Sequence, residues 1–311
     1  MRMTSSQGTP KWSVMIPTFN CAQFLEQTLR SVLDQDPGEA EMQIEVVDDC
    51  SFLDDPESVV NRVGKGRVGF FRNKANLGAA ANFNVCIERA KGELLHILHG
   101  DDYVLDGFYI RMLECFEETE ELSVAFSRCL VIDEAGTLRS VSPRIVEYEI
   151  PTNDPSGVFY SNPIRTPGVV IRRKWLEEVG GFDETFSHVA DWDMWFRLIT
   201  LGNGQFINWP LAVYRQFEGS DTGSQVRSAN NLKEHYRIGM EKFSGHYLFD
   251  RAVFHKTIRR LADQQASALR AKGDVDALDR TLDFMRTNKL ELRWRERLGR
   301  LFKKIGSRIS S

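Results

Sequence analysis

Residues 94–102 read LLHILHGDD, a short apolar run that ends in two adjacent aspartates. Such a run, closed by a glycine, is typical of a buried strand followed by a turn. Neighbouring carboxylates at a strand end repel each other and lose hydration on burial, and a divalent cation removes both penalties. Asp101 and Asp102 are therefore candidate ligands for Mg²⁺ or Mn²⁺, although Gly-Asp-Asp also suits an ordinary polar turn.

Polar residues follow two other predicted strands. Residues 13–16 predict a strand that ends at residues 17–20, PTFN, where Asn20 is a candidate cap for the helix that follows. Residues 43–47 predict a second strand, which ends at Asp48 and Asp49. Strands that alternate with helices indicate an α/β fold with a mostly parallel central sheet, and ligands of such sheets bind outside the carboxyl ends of the strands.

The rest of the chain divides into a loop-rich part and a helical part. Two strands are predicted within 124–140, another over 169–172, and an amphipathic helix over 191–201. Residues 143–167 are rich in Pro, Asn, Ser and Gly, which favours a long functional or mobile loop. From about residue 220 the pattern is helical, so we expect a domain over 1–219 and a helical C-terminal extension over 220–311.

Composition excludes several classes of protein. The 311 residues are 42% hydrophobic and 27% charged, which is typical of a globular protein. No apolar run approaches the length that crosses a bilayer, and we expect no signal peptide. The five cysteines have no CxxC spacing, which favours buried thiols in a reducing cytoplasm over disulfides or zinc.

Charge is distributed unevenly along the chain. Between Lys289 and Arg308 there are eight basic and two acidic residues, which leaves 32 basic and 42 acidic residues elsewhere. The acidic body disfavours nucleic-acid binding. Residues 289–311 place apolar residues on one helical stripe among basic ones, as in a helix that contacts anionic lipid. A helix packed on the catalytic domain, or on a second subunit of a homodimer, is the alternative.

Eight short segments, in order, resemble glycosyltransferase family 2, whose members have the GT-A (Rossmann-like) fold. The resemblance covers roughly residues 12–217. The matching segments are VMIPTFN (14–20), EVVDDCS (45–51), NLG (76–78), AKGE (90–93), HGDD (99–102), IRR (171–173), GGFDE (180–184) and ADWD (190–193).

The resemblance implies a role for each matching residue. Pro17, Thr18 and Phe19 would line the nucleotide base pocket. Asp49 would accept a hydrogen bond from the base or ribose. The remaining implied donor and metal residues are Asn76 and Gly78 in the wall of the donor site, Asp101 at the ribose or metal, and Asp102 as a metal ligand. The cation would bridge the two phosphates and stabilise the departing nucleoside diphosphate.

Asp191 resembles the catalytic base of the family. A carboxylate must take the proton from the acceptor hydroxyl as it attacks the anomeric carbon, and direct displacement inverts that centre. A helix N-cap is the alternative role for Asp191. Asp193 lies four residues before Arg197, so we expect a surface ion pair there. His96 and His99 are expected to be structural.

Two positions depart from the family pattern. Many members have a histidine shortly after a Tyr-Arg pair, and it can join the metal shell. Here Phe217 stands in that place after Tyr214 and Arg215, so the shell would be completed by water and phosphates or by Glu218, or catalysis has been lost. Cys50 replaces the usual glycine.

These residues predict an inverting, metal-dependent glycosyltransferase. It would move one sugar from a UDP-, GDP- or dTDP-sugar to a hydroxyl of a saccharide or lipid-linked saccharide, in bacterial cell-surface polysaccharide biosynthesis. We expect a cytoplasmic protein, peripheral on the inner face of the plasma membrane. The alternative is a noncatalytic GT-A protein that binds a partner or the membrane. A nucleotidyltransferase is disfavoured because no Gly-rich N-terminal loop with a paired lysine is present.

Overall fold

The alternating apolar runs form one mixed sheet in the computed structural model, which describes residues 8–145, 152–217 and 221–290. The strands are β1 (Trp12–Thr18), β2 (Met42–Asp48), β3 (Gly69–Arg72), β4 (Leu94–Ile97), β5 (Tyr103–Val104), β6 (Leu122–Ile132), β7 (Leu138–Val141), β8 (Val169–Arg172) and β9 (Asn203–Arg215). Their order across the sheet is β3-β2-β1-β4-β8-β6-β9-β5, and β7 pairs with β6.

Parallel pairing is concentrated on one side of the sheet. Strand β1 runs parallel to both β2 and β4, and β2 runs parallel to β3. The carboxyl ends of these strands therefore meet at one edge. On the other side β8 runs antiparallel to β4 and β6, whereas β9 runs parallel to β6 and antiparallel to β5. The predicted α/β class is confirmed, and the sheet is mixed beyond β4.

Helices cover the sheet and continue into the C-terminal part of the chain. They are α1 (Ala22–Leu33), α2 (Pro56–Gly64), α3 (Ala79–Arg89), α4 (Phe108–Glu118), α5 (Leu176–Val179), α6 (Ala190–Leu201), α7 (Asp221–Arg227), α8 (Asn230–Ile238), α9 (Arg251–Lys272) and α10 (Val275–Thr287). Within the described ranges, every helix is too short or too polar to span a bilayer.

The core contains the apolar side chains that recur at helical spacing along α1 and those of strand β1. Leu25, Leu29 and Val32 lie on one face of α1 and are fully buried, as are Val14 and Ile16 of β1. Burial of one large aliphatic side chain contributes about 1.5–3 kcal/mol, so this cluster fixes the sheet against its helices.

The start of α1 differs from the prediction. The helix begins after Cys21, without a side-chain cap, and Asn20 adopts a left-handed backbone with φ of 50°. The Asn20 Oδ1 atom instead accepts hydrogen bonds from the backbone N–H groups of Phe52 and Leu53. Asn20 therefore joins the loops that follow β1 and β2, because its short amide tolerates the left-handed region.

The chain separates into two compact units at Ser220 and Asp221. The first contains the sheet. Its predicted loop over 143–167 is described at residues 143–145 and from residue 152 onward, and Val158 and Phe159 are fully buried. The second unit consists of α7 to α10, and α9 buries Phe254, Ile258 and Ala262.

Candidate active site

The loops after β1, β2 and β4 are joined by backbone hydrogen bonds at the carboxyl edge of the sheet. The N–H of Asp49 donates to the carbonyl of Thr18 at 2.9 Å, and the N–H of Gly100 donates to the carbonyl of Pro17 at 3.0 Å. The three polar strand ends that the sequence predicts to lie together are therefore adjacent.

Of the three residues predicted to line a base pocket, only Phe19 has an accessible side chain. Phe19 is 40% exposed and packs edge to face on Phe52, which is 74% exposed, with ring centroids 5.8 Å apart. Pro17 and Thr18 are buried, and the Thr18 hydroxyl lies 2.9 Å from Cys21 Sγ. The accessible apolar surface after β1 is therefore that of the two paired aromatic rings.

The Asp49 carboxylate is buried and takes four hydrogen bonds from a single loop. Its donors are Asn73 Nδ2 (2.9 Å), Asn76 Nδ2 (3.0 Å) and the backbone N–H groups of Leu77 and Gly78 (2.9 Å each). Two carboxylate oxygens offer about four lone-pair sites. The predicted contact of Asp49 with the base or ribose therefore requires a nucleotide to replace one of these donors.

Asn76 and Gly78 lie at the start of α3, on the loop that Asp49 holds. Gly78 precedes the helix with φ of 87°, a conformation that glycine adopts without strain. The Asn76 side chain is exposed, and Gly78 is half-buried. This placement suits the donor-site wall that the sequence predicts.

Asp101 and Asp102 are fixed by backbone contacts from distant parts of the chain. The Thr28 hydroxyl of α1 contacts the carbonyl oxygens of Gly100 (3.0 Å) and Asp102 (2.7 Å). Arg215, at the end of β9, donates its backbone N–H to Asp102 Oδ1 at 2.8 Å and its Nε to the Asp101 carbonyl at 3.1 Å. Position 100 must be glycine because a Cβ there would lie 2.8 Å from Thr18 Oγ1.

One oxygen of this acidic pair has no hydrogen-bond donor. Asp102 is 1% exposed, and its Oδ2 accepts no hydrogen bond from the described residues. His99 Nδ1 lies 3.3 Å from that oxygen, and His99 Nε2 is also buried without a partner. Ligand atoms of His99, Asp101 and Asp102 all lie within 4.8 Å of one another. A buried carboxylate oxygen without a donor is costly, so these residues fit a divalent cation.

The pKa values of His99, Asp101 and Asp102 are all shifted upward, as expected for a buried site that contains several carboxylates. Burial raises the pKa of Asp101 to about 7; Asp102 adds to the rise, while His99 and Arg215 oppose it. Burial also raises the pKa of Asp102, against the effect of His99 and Arg215. Burial lowers the pKa of His99, but the nearby carboxylates outweigh it, and the net shift is upward.

Asp191 lies in the first turn of α6, and its charge is one of those that raise the pKa of His99. The helix is capped by Val189 without a side-chain bond, so Asp191 is not the N-cap residue. Its Oδ1 accepts from the N–H of Trp192 at 2.7 Å, and its Oδ2 accepts from Asn162 Nδ2 at 3.0 Å. Burial raises the pKa of Asp191, whereas His188 and the Trp192 N–H lower it. A carboxylate with a raised pKa is a stronger base than an exposed one.

The comparison with known proteins decides the family. The model of glycosyl transferase family 2 matches residues 13–180, more than half of the chain. The chain belongs to glycosyltransferase family 2. It is 30% identical to a GalNAc(5)-diNAcBac-PP-undecaprenol beta-1,3-glucosyltransferase of Campylobacter jejuni, over 67% of this chain and 65% of that protein.

Solved structures show the same fold at low identity. S. aureus TarS 1–349 in complex with UDP-GlcNAc matches with a TM-score of 0.60 and 19% identity, covering 92% of this chain and 77% of TarS. A mannosyltransferase from Pyrobaculum calidifontis in complex with GDP-Man and Mn²⁺ matches with a TM-score of 0.60 and 14% identity, covering 97% and 81%. The GT-A fold is confirmed, and this family 2 chain is a glycosyltransferase.

Phe217, two residues after the pair Tyr214 and Arg215, stands where the resemblance leads one to expect a histidine. Phe217 packs on Phe24 with ring centroids 5.4 Å apart, and the Arg215 guanidinium stacks 4.4 Å above the same Phe24 ring. Position 217 is therefore part of an aromatic contact with α1 and supplies no metal ligand. Glu218 lies outside the described residues, as does the predicted tail helix over 289–311 from residue 291 onward.

Three residues that contact the candidate site residues Asp102 and Asp191 are not predicted from the sequence. Arg215 was noted only as half of a motif, Asn162 carried no local signal in its loop, and His99 was expected to be structural. The ion pair predicted for Asp193 is present, with Asp193 Oδ2 2.7 Å from Arg197 Nη2, but Asp193 is fully buried rather than on the surface. Arg197 also donates to the carbonyl oxygens of Val179 and Gly181, which fixes α6 to the preceding turn.

Proposed function

We propose that this chain is an inverting, metal-dependent glycosyltransferase that moves one sugar from a nucleoside diphosphate sugar to an acceptor hydroxyl. The supporting observation is the Asp102 Oδ2 atom, which is buried and has no donor among the described residues. A divalent cation held there supplies positive charge to the donor diphosphate.

Each candidate site residue has its own role in the proposed reaction. Asp102 binds the cation, and Asp101 contacts the cation or the ribose. Phe19 packs against the nucleotide base, beside the loop that Asp49 holds through Asn76 and Gly78. Asp191 takes the proton of the acceptor hydroxyl, and Asn162 holds its carboxylate toward that hydroxyl.

Donor and acceptor classes are suggested by the relatives. The TarS and P. calidifontis structures contain UDP-GlcNAc and GDP-Man, and the C. jejuni enzyme is named for an undecaprenol-linked acceptor. We infer a UDP-, GDP- or dTDP-sugar donor and a saccharide or lipid-linked saccharide acceptor in bacterial cell-surface polysaccharide assembly. The basic tail over 289–311 would bring the enzyme to anionic lipid.

The test begins with a thermal-shift screen of nucleoside diphosphates with and without Mn²⁺, because binding stabilises the fold in proportion to affinity. Hydrolysis and transfer with the selected nucleotide-sugar are then compared for wild type, Asp191→Asn and Asp102→Ala. We expect Asp191→Asn to bind the donor and lose transfer, and Asp102→Ala to lose metal-dependent donor binding. Asp106→Asn, an exposed carboxylate nearby, is the matched control. Transfer at the wild-type rate in either site variant contradicts the assignment.

The proposed binding of residues 289–311 to anionic lipid is tested separately. Deletion of residues 289–311 should move the protein from sedimenting with anionic vesicles to the supernatant, whereas neutral vesicles should retain neither form. Unchanged sedimentation of the truncated protein contradicts this role.

A further inference from the structure

His99 Nδ1 lies 3.3 Å from Asp102 Oδ2, a buried oxygen that accepts no hydrogen bond from the described residues. His99 lies two residues after the end of β4, and Gly100 follows it where a Cβ would lie 2.8 Å from Thr18 Oγ1. The ligand atoms of His99, Asp101 and Asp102 lie within 4.8 Å of one another. Neither His99 Nε2 nor Asp102 Oδ2 has a hydrogen-bond partner among the described residues.

We propose that His99 is a direct ligand of the divalent cation, so that the metal site of this enzyme contains one imidazole beside its carboxylates. The proposal rests on the proposed function only in placing a cation at Asp102. Two neighbouring ligands in an octahedral shell with bonds of about 2.1 Å lie about 3 Å apart. The 3.3 Å separation of His99 Nδ1 and Asp102 Oδ2 is close to that spacing.

The ring of His99 is held in place by packing. Phe83 of α3 stacks on it with ring centroids 5.2 Å apart and an angle of 11° between the planes. Phe182 packs edge-on against the same phenylalanine at 5.2 Å. A ligand whose ring is fixed before the metal arrives loses little conformational entropy on binding, as is usual in metal sites built on a second layer of supporting residues.

An imidazole ligand changes which metal the site prefers. Carboxylates and water suit Mg²⁺, whereas imidazole nitrogen suits transition metals, and affinities rise along the first-row series from Mn²⁺. The wild-type enzyme should therefore bind Mn²⁺ more tightly than Mg²⁺. His99→Asp should keep a ligand at position 99 but reduce the preference for Mn²⁺ over Mg²⁺, because all the protein ligands would then be oxygen atoms.

The decisive measurement is pulsed electron paramagnetic resonance of Mn²⁺ bound to the full chain with UDP. Coordination by His99 should give an electron spin-echo modulation from ¹⁴N that changes to the ¹⁵N pattern when histidine is ¹⁵N-labelled. His99→Gln should abolish the histidine signal and weaken Mn²⁺ binding at least tenfold, because even supporting residues outside the first layer contribute that much. His99→Asp should recover binding without the nitrogen signal.

Controls separate this proposal from the proposed function and from misfolding. His246→Gln, in the helical unit, and His188→Gln should leave the spin-echo signal unchanged, and circular dichroism should show each variant folded. A histidine signal that persists in His99→Gln, or Mn²⁺ affinity that stays within twofold, overturns His99 as a ligand and leaves Asp102 in place. Failure of wild type and Asp102→Ala alike to bind Mn²⁺ overturns the metal site of the proposed function itself.

Discussion

Two Asp-Asp pairs lie at strand ends on the same edge of the sheet, Asp48 and Asp49 at the end of β2 and Asp101 and Asp102 after β4, and their side chains differ in the hydrogen bonds they accept. Asp48 accepts from the Ser51 hydroxyl at 2.5 Å and from Arg72 Nε at 2.6 Å, and Asp49 accepts four donors from its loop. The pair at Asp101 and Asp102 is held mainly through its backbone, and its Asp102 Oδ2 atom is buried and accepts no hydrogen bond from the part of the chain that the structure describes. The same dipeptide thus stabilises the fold at the end of β2 and leaves an oxygen that can bind a ligand after β4.

The largest expected effect comes from changing the second pair. Asp102→Asn keeps the acceptor for the Arg215 N–H but removes the charge that would bind the cation. We expect kcat/KM for sugar transfer to fall about 10³-fold or more, since a bound metal contributes several kcal/mol of charge stabilisation. Unfolding in urea without divalent metal should show little change in stability, because asparagine still accepts from the Arg215 N–H and the loss of the His99 contact is offset by relief of the repulsion between Asp101 and Asp102. A large loss of stability would show that the carboxylate is structural.

The corresponding change in the first pair should act on stability. In Asp49→Asn an NH₂ group replaces one carboxylate oxygen. The loop N–H groups that donated to that oxygen then face another donor and lose their acceptor. We expect the free energy of unfolding to fall by about 2–4 kcal/mol, the cost of leaving such groups unsatisfied. The measurement is the urea midpoint, with Asp106→Asn as control. If Asp49→Asn unfolds like wild type but loses nucleotide binding, Asp49 contacts the bound nucleotide-sugar and does not stabilise the loop.

A smaller effect is expected at the proposed base. Only the ionised form of Asp191 can take a proton, and its raised pKa places the acid limb of kcat/KM above the range of an ordinary aspartate. Asn162→Ala removes a donor that favours the ionised form, so the pKa should rise further and the acid limb should move to higher pH. The check is the pH profile of kcat/KM. An unchanged limb with a lower rate would mean that Asn162 contacts the acceptor instead.

The strand ends could be predicted from sequence because they depend on local rules. Short apolar runs, alternation with helices and the shared edge of parallel strands place Asp49 and Asp102 together without knowledge of distant contacts. Strand β9 was not predicted, since its sequence NGQFINWPLAVYR contains glycine, asparagine and proline, which read as loop. It pairs with β6 and brings Arg215 to Asp102, 113 residues away. Asn162 reaches Asp191 in the same way, through a docked loop that has no periodic pattern.

The smallest effect concerns the residue after the first pair. Cys50 adopts a left-handed backbone with φ of 63°, which costs a residue with a Cβ about 1–2 kcal/mol and costs glycine little. Glycine loses about 0.5–1 kcal/mol more through its flexible unfolded state, so Cys50→Gly should raise the free energy of unfolding by about 1 kcal/mol or less. Cys50→Ala is the matched control, because it removes the thiol and keeps the Cβ. Equal stability of the two variants would show that the thiol, rather than the backbone, sets the energy of this turn.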